Sequence, residues 1–305
     1  MTDNKQAVLA LAGIAKRLGN GTEIKEASLE VNAGELIGIC ANKTEKNLFI
    51  KLLLGMKKPS YGKIFYWGKE MKDGIIPNHR KVGVFTEGMT FYPYMTGYRN
   101  LEAAAYSKDV YCKEKIKKAA DMVGIGDIIS KKARKYSKKD IYRLGIAAVL
   151  INEPLLIILD SPAEYLGEDG MNMLVSLLED ISSTQNCTVI VIEKNIANLL
   201  YCQKIARLDN GVLSELYSPE YMLDEYAREK SGYRIQLDNE IAAVRVIENS
   251  IDALSVRVVE KGIIWVELSS ENVNDRLQKL IKSLVLAGIA VYTVRPYIPC
   301  SYFAE

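Results

Sequence analysis

The sequence predicts an α/β fold built on a mostly parallel sheet, and three observations carry that expectation. Residues 36–40, 155–160 and 187–192 are short, continuous apolar runs, as strands buried on both faces are. Helical patterns lie between them: residues 48–54 closed by Gly55, and residues 169–181 with Leu174, Leu177, Leu178 and Ile181 at helical spacing. Strands and helices alternate in this way through about residue 205, which a sheet covered by helices on both sides requires.

The elements follow in order. Residues 29–32 alternate apolar and polar, and Ala33-Gly34 turns the chain into the run 36–40. A polar loop, 41–45, leads into the helix 48–54. Pro59-Ser60-Tyr61-Gly62 is a turn, 63–67 a strand, and 82–85 a further short strand. From Tyr98 to Arg143 the pattern is helical and basic, with 12 Lys or Arg against 5 Asp or Glu between Lys108 and Arg143. That stretch is either a solvated helical face or a docking surface for a partner. Residues 206–213 read as a hairpin, because Asn210-Gly211 suits a type I′ turn. Residues 217–234 read as a charged helical connector. The tail, 235–305, reads as a small α+β unit of strand, strand, helix, strand. Its first strands are 254–259 and 263–268; Val273, Leu277, Leu280, Ile281 and Leu284 mark the helix; Gly288 stops it before a strand at 289–294.

Composition narrows the chemistry. At 305 residues the chain has length for about two domains and ample core. Forty basic and 38 acidic residues leave a net charge of +2, so no global field draws nucleic acid or an anionic membrane. The single histidine, His79, excludes multi-histidine metal sites, and its plain reading is a loop histidine. The five cysteines are scattered without metal-ligand spacing, which fits a reducing, cytoplasmic setting and predicts no metal site. The start of the chain is polar, and no apolar run reaches the roughly 20 residues that span hydrocarbon.

Taken together the features have a recognisable order. A strand, loop and helix with Lys46 at its start come first, then Pro59-Ser60-Tyr61-Gly62-Lys63-Ile64 and the strand 82–85. Phe91-Tyr92-Pro93-Tyr94-Met95-Thr96 follows, with Asn100-Leu101 behind it. Tyr136-Ser137 leads into Arg143-Leu144-Gly145-Ile146-Ala147. The run 155–160 precedes Pro162, and Asp209-Asn210-Gly211-Val212-Leu213 closes the series. This order resembles the nucleotide-binding subunit of an ABC transporter over roughly residues 7–216, and the tail resembles the C-terminal appendage of the drug- and bacteriocin-exporter branch. The resemblance implies a P-loop NTPase-like ATPase domain over 1–216. Such a domain has a mostly parallel core sheet, antiparallel N-terminal strands and a helical subdomain at about 88–150.

In that family ATP is held between two copies, by the phosphate loop of one and the signature motif of the other. The positions that would do so here are changed. The phosphate loop, expected as G-x-x-x-x-G-K-[ST], becomes Cys40, Ala41, Asn42, Lys43, Thr44, Glu45, Lys46 and Asn47, one residue short and with no hydroxyl after the lysine. A Glu45 carboxylate about 5 Å from a phosphate would cost roughly 3 kcal/mol. Lys46 itself reads as a helix-start lysine on a solvated loop. Leu18 stands where an adenine-stacking aromatic is expected, and Glu87 replaces the γ-phosphate-sensing glutamine. The signature becomes Tyr136-Ser137-Lys138-Lys139-Asp140, which keeps Ser137 and puts Lys139 where a glycine is expected. Asp160, the magnesium-side aspartate, is kept and reads equally as a vestigial ligand or a cap. Ser161 takes the place of the water-activating glutamate, Lys194 that of the switch histidine and Gly167 that of an aspartate. Serine has no useful basicity at neutral pH.

The implied function is an ABC ATP-binding subunit whose Mg-ATP site is eroded and whose catalytic residues are gone. It would act as a structural or regulatory partner of a membrane permease, on the cytoplasmic face of the membrane. It would pair with itself or with an intact sister ATPase, with no role for nucleic acid. Glu87, Tyr92, Pro93, Tyr94 and Met95 are the expected permease contacts. Two alternatives stay open at this point: a cytosolic scaffold descended from such a subunit, and a working ATPase that relies on Lys46 and Asp160.

Overall fold

The computed structural model describes residues 7–19, 21, 23–87, 89–105, 112–222, 232–249, 253–269 and 272–296. The chain divides into two compact units, Met1–Tyr217 and Ser218–Glu305. The first runs β1 (Ala7–Arg17), β2 (Glu23–Asn32), β3 (Leu36–Ala41), α1 (Lys43–Leu53), β4 (Tyr61–Tyr66), β5 (Lys69–Glu70), β6 (Val82–Phe85) and α2 (Gly97–Ala104). It continues with α3 (Cys112–Met122), α4 (Lys138–Leu150), β7 (Leu156–Asp160), α5 (Pro162–Gln185), β8 (Thr188–Glu193), β9 (Lys204–Asp209) and β10 (Val212–Leu213).

Among the described residues these ten strands form one mixed sheet, in the order β5-β4-β1-β2-β10-β9-β3-β8-β7-β6. The five strands β9, β3, β8, β7 and β6 are mutually parallel, and β4, β1 and β2 are antiparallel. The continuous apolar runs are therefore the central strands. Every residue of β7 and β8 is buried, and fully burying one such Ile or Val contributes about 1.5–3 kcal/mol. The helices α2, α3 and α4 pack on one another beside β6 as the helical subdomain. Gly55 ends α1 at φ +68°, packed so closely against the Gly74 backbone that a Cβ has no room. Asn210 and Gly211 both take positive φ, +50° and +78°, as the type I′ turn between β9 and β10 demands.

The parallel order matters for function because it brings the C-terminal ends of β3, β7 and β8 side by side. Cys40 lies opposite Glu193 and Asp160 opposite Ile192. In open α/β sheets ligands gather at such strand ends.

The second unit differs from its expected form. It contains β11 (Gly232–Leu237), α6 (Glu240–Glu248), β12 (Ala253–Glu260), β13 (Ile263–Leu268), α7 (Val273–Leu286) and β14 (Val291–Pro296). The expected connector, 217–234, thus gives way to a strand at Gly232, and its residues 223–231 lie outside the described residues, as does Cys300. The extra strand and helix make a β-α-β-β-α-β unit with sheet order β12-β13-β11-β14, a ferredoxin-like arrangement. Tyr233, Ile235 and Leu237 are buried against one face with Ala243 and Ile247 of α6 and Leu280 and Leu284 of α7. The alternation at 233–237 was the available signal. It was masked by the charged residues just before it.

Candidate functional site

The strand ends of the first unit carry the residues singled out from the sequence. β3 passes into α1 through one residue, Asn42, with φ −65° and ψ 161°. Its side-chain Oδ1 accepts the N–H groups of Thr44 and Glu45, both at 3.0 Å, and the Lys46 N–H donates to its carbonyl. A helix N-terminus binds anions through such free N–H groups. Here two of them are satisfied by the cap itself.

Glu45, in the first turn of α1, is tied to two neighbours of that helix end. Its carboxylate accepts the Gly211 N–H at 2.6 Å and the Asn42 side-chain amide at 2.5 Å. It pins the start of α1 to the β9–β10 turn. Burial raises its pKa, the Gly211 N–H opposes the rise and Asp209 adds to it. Glu45 is a structural strut.

Lys46 departs from its expected place. It is 3% exposed, and its Nζ donates to Asp160 Oδ1 and to Ser161 Oγ, both at 2.5 Å. A lysine reads as surface in sequence because its charge is costly to bury. Asp160 removes that cost, and the pair is 114 residues apart in the chain. The second Asp160 oxygen, Oδ2, accepts the Glu87 backbone N–H at 3.1 Å. Ser161 Oγ donates to Asp160 Oδ1 at 3.1 Å. Ser161 sits at φ 50°, ψ 51°, held by its N–H to the Ile192 carbonyl and followed by Pro162 at the start of α5. Tyr142 of α4 donates to the Asp160 carbonyl at 2.8 Å and stacks on Tyr165 at 5.2 Å.

Glu193 was missed. Residues 187–192 are apolar and the strand was expected to stop there, but β8 runs one residue further. The Glu193 side chain is 3% exposed and accepts the Ala163 N–H at 2.8 Å. Burial pushes its carboxyl up to about 7; the Ala163 N–H and Lys46 oppose the rise, and Asp160 and Glu164 reinforce it. The acid that closes an apolar run was the signal available in the sequence.

The structure thus brings together Lys46, Asp160, Ser161 and Glu193, with Asn42 and Glu45 tied to the neighbouring hairpin. Ala41 is buried as the last residue of β3, and Thr44 and Asn47 add no contact to the cluster. Lys43 reaches the Glu87 carboxylate at 3.4 Å on the surface. Leu18 packs against the hydrophobic core. Ser137 is spent on a capping box: the Asp140 N–H donates to its Oγ at 3.1 Å and its own backbone N–H donates back to the Asp140 carboxylate at 3.2 Å. Lys139 is half-buried, and Lys194 is exposed with its carbonyl accepting the Cys40 thiol. Gly167 kinks α5 at φ 64°. His79 lies exposed in a short 3-10 turn before β6, away from β8. Among the described residues no group of three or more His, Cys, Asp or Glu could hold a metal ion.

Mg-ATP, the group the resemblance implies, calls for free N–H groups at the start of α1, an open Asp160 carboxylate and a hydroxyl after Lys46. Asn42 caps two helix N–H groups, both Asp160 oxygens are taken by the chain's own donors, and no hydroxyl follows Lys46. As they stand, these residues do not offer the group that set of contacts.

A second surface lies beside β6. Asn100, buried at the start of α2, holds the preceding loop by accepting the Tyr92 N–H at 2.7 Å and donating to the Tyr92 and Thr96 carbonyls at 3.1 and 3.0 Å. The loop is also tied to the segment before α4: Ala133 N–H to Met95 O at 2.8 Å and Arg134 N–H to Pro93 O at 2.9 Å. Yet Tyr92, Tyr94 and Met95 are 62%, 74% and 44% exposed. A cavity of about 330 Å³ opens next to them, lined by Phe85, Phe91, Tyr92, Asn100, Val149 and Asn152 among others. Asn100→Ala is expected to cost about 1–2 kcal/mol, because it removes three partly buried side-chain bonds and leaves the Tyr92 N–H and carbonyl without this partner. Urea denaturation gives the loss, and limited proteolysis at 91–96 shows whether the loop was held by this side chain.

Residues 24–164 match the ABC transporter family. Of the curated relatives, the uncharacterized ABC transporter ATP-binding protein YhcH of Bacillus subtilis is 27% identical over 292 residues, covering 95% of this chain and 92% of its own. The bacitracin transport ATP-binding protein BcrA of Enterococcus faecalis is 26% identical over 296 residues, covering 90% of this chain and 96% of its own. Of the solved structures, cbiO1 of Clostridium perfringens, part of the ABC transporter complex cbiONQ, superposes with a TM-score of 0.63 at 20% identity. It covers 74% of this chain and 94% of its own. The dimeric ABC transporter cassette MJ0796 superposes with a TM-score of 0.61 at 18% identity, over 69% of this chain and 98% of its own. The mixed sheet with its parallel core and packed helices is the fold these likenesses show. This chain thus has the ABC ATPase fold and is similar, over nine-tenths or more of its length, to ABC transporter ATP-binding proteins.

Proposed function

We propose that this chain serves its transporter as a structural or regulatory subunit that binds ATP weakly or not at all. The observation that carries the reading is the passage of β3 into α1 through Asn42 alone, with the Lys46 ammonium already held by Asp160 and Ser161. A phosphate-wrapping loop presents several free N–H groups and a free lysine. In this chain the cap and the ion pair use these groups. The changes at Ser161, Lys194 and Lys139 point the same way.

The partner is a membrane permease, and the second copy of the cassette is either this chain or an intact sister ATPase. Exposed Tyr92, Pro93, Tyr94 and Met95, Glu87 beside them and the cavity next to them support permease docking on this surface. Among the described residues no helix is long and apolar enough to cross a membrane, so contact with the bilayer would run through that permease, on its cytoplasmic side. The likeness to two bacitracin transport ATP-binding proteins, from Enterococcus faecalis and Bacillus licheniformis, favours the exporter branch.

Calorimetry of the pure chain with Mg-ATP is the test. The expected result is no heat and no thermal stabilisation up to millimolar nucleotide. Specific binding at 100 times Kd would add about 2.7 kcal/mol of stability. Micromolar binding would overturn the reading and restore the working ATPase. The permease half is tested separately, by co-purification of the tagged chain in gentle detergent. Recovery of neither a permease nor a second ATPase would sink it.

A further inference from the structure

The cations next to the exposed tyrosines have no role in the reading so far. Residues 131–139 carry Lys131, Lys132, Arg134, Lys135, Lys138 and Lys139 and no acid. In a chain of net charge +2 this is a local excess. All but Lys139 are exposed, and no ion pair found among the described residues uses any of them. The nearest acids in sequence are Asp127, on the preceding turn, and Asp140, which is committed to the cap of α4.

The cations are not on a loose tail. Thr96 bridges to Lys132, the Gly97 N–H donates to the Lys131 carbonyl at 3.1 Å, and the Tyr98 N–H donates to the Ile129 carbonyl at 2.9 Å. With the Ala133 and Arg134 bonds described above, the basic segment and the loop 91–96 form one platform. Arg134 lies over the Tyr94 ring at 5.7 Å. The surface therefore combines fixed aromatic and thioether knobs with uncompensated positive charge. Neighbouring charges lie within a Debye length, about 8 Å at physiological salt, and act together. Such a surface fits a segment that is apolar on one side and acidic on the other.

We propose that the permease segment docking on this chain is acidic, its apolar face on Tyr92, Tyr94 and Met95 and its carboxylates opposite Lys131, Lys132, Arg134 and Lys135. The inference rests on the permease reading and adds the chemistry of the partner to it. It also makes the basic stretch a docking surface in place of a solvated face.

The test uses the full chain in its native cells, with photoreactive p-benzoylphenylalanine in place of the exposed Tyr94, and mass spectrometry of the adduct. The expected adduct is a cytoplasmic permease peptide of net negative charge. Fourfold charge reversal, K131E/K132E/R134E/K135E, is expected to lower permease recovery by about tenfold or more. Glu→Lys changes in the captured segment should restore recovery, and the variant should keep the thermal transition of the unaltered chain. A neutral or basic permease peptide overturns the inference and leaves the permease reading standing. An adduct with lipid or nucleic acid overturns it as well, as does labelling no stronger than that from the same group at exposed Met56. If co-purification finds no permease, the underlying reading itself has failed.

Discussion

Lys46→Ala is expected to destabilise this protein by about 3–5 kcal/mol, the range for removing one partner of a buried ion pair. The total stability of a domain is about 5–15 kcal/mol, so the loss is severe. Its cause is the Asp160 carboxylate, which would remain 2% exposed with the Glu87 N–H and the Ser161 hydroxyl as partners and no counter-charge. The paired replacement Lys46→Met with Asp160→Leu removes both charges together and is expected to recover most of the loss, since apolar substitutes for buried pairs are often neutral or better. Urea denaturation of the three variants gives the comparison. A cost below about 1 kcal/mol for Lys46→Ala would mean that the lysine is solvated and available to a ligand.

The second large effect concerns pH. The Glu193 carboxyl titrates near 7 in the folded chain, against an ordinary glutamate value of 4.5 in the unfolded one. Between those values the folded state holds the extra proton. Stability is therefore fully present below about pH 4.5, falls as pH rises through 7, and levels off above it. The shift corresponds to roughly 3 kcal/mol. Glu193→Gln keeps an oxygen acceptor for the Ala163 N–H and removes the charge. It is expected to abolish this part of the slope and to stabilise the chain at pH 8. Urea midpoints of wild type and variant at pH 5 and pH 8 measure both effects. Equal slopes in the two proteins would show that Glu193 is ionised throughout that range.

Much of the fold could be read from the sequence because its central strands are apolar without interruption. Residues 36–40, 155–160 and 187–192 need no alternation to be found, and Asn210-Gly211 admits few other turns. The missed strand at Gly232–Leu237 has only three inward residues, Tyr233, Ile235 and Leu237, next to a charged stretch, so its period was hidden. The site was harder to read than the fold. Sequence places Lys46 and Asp160 in their elements, yet their pairing is a tertiary fact, fixed by the parallel order of β3, β8 and β7. Glu45 was read by what usually stands near that position. Its carboxylate is held by the Gly211 N–H, 166 residues away in the chain, as well as by Asn42 beside it. Local spacing carries no information on the Gly211 contact.

The pairing of the first and last strands in the second unit has a consequence for how this protein was assembled. β11 lies beside β14, with Tyr233 opposite Pro296, so the first and last described strands of this unit have neighbouring ends about 5 Å apart. A module with adjacent ends can be added, removed or moved between hosts without stretching either sequence. Its ends can also be joined and new ones opened elsewhere. The pairing of β11 with β14 thus gives the C-terminal unit the adjacent strand ends that such rearrangement requires.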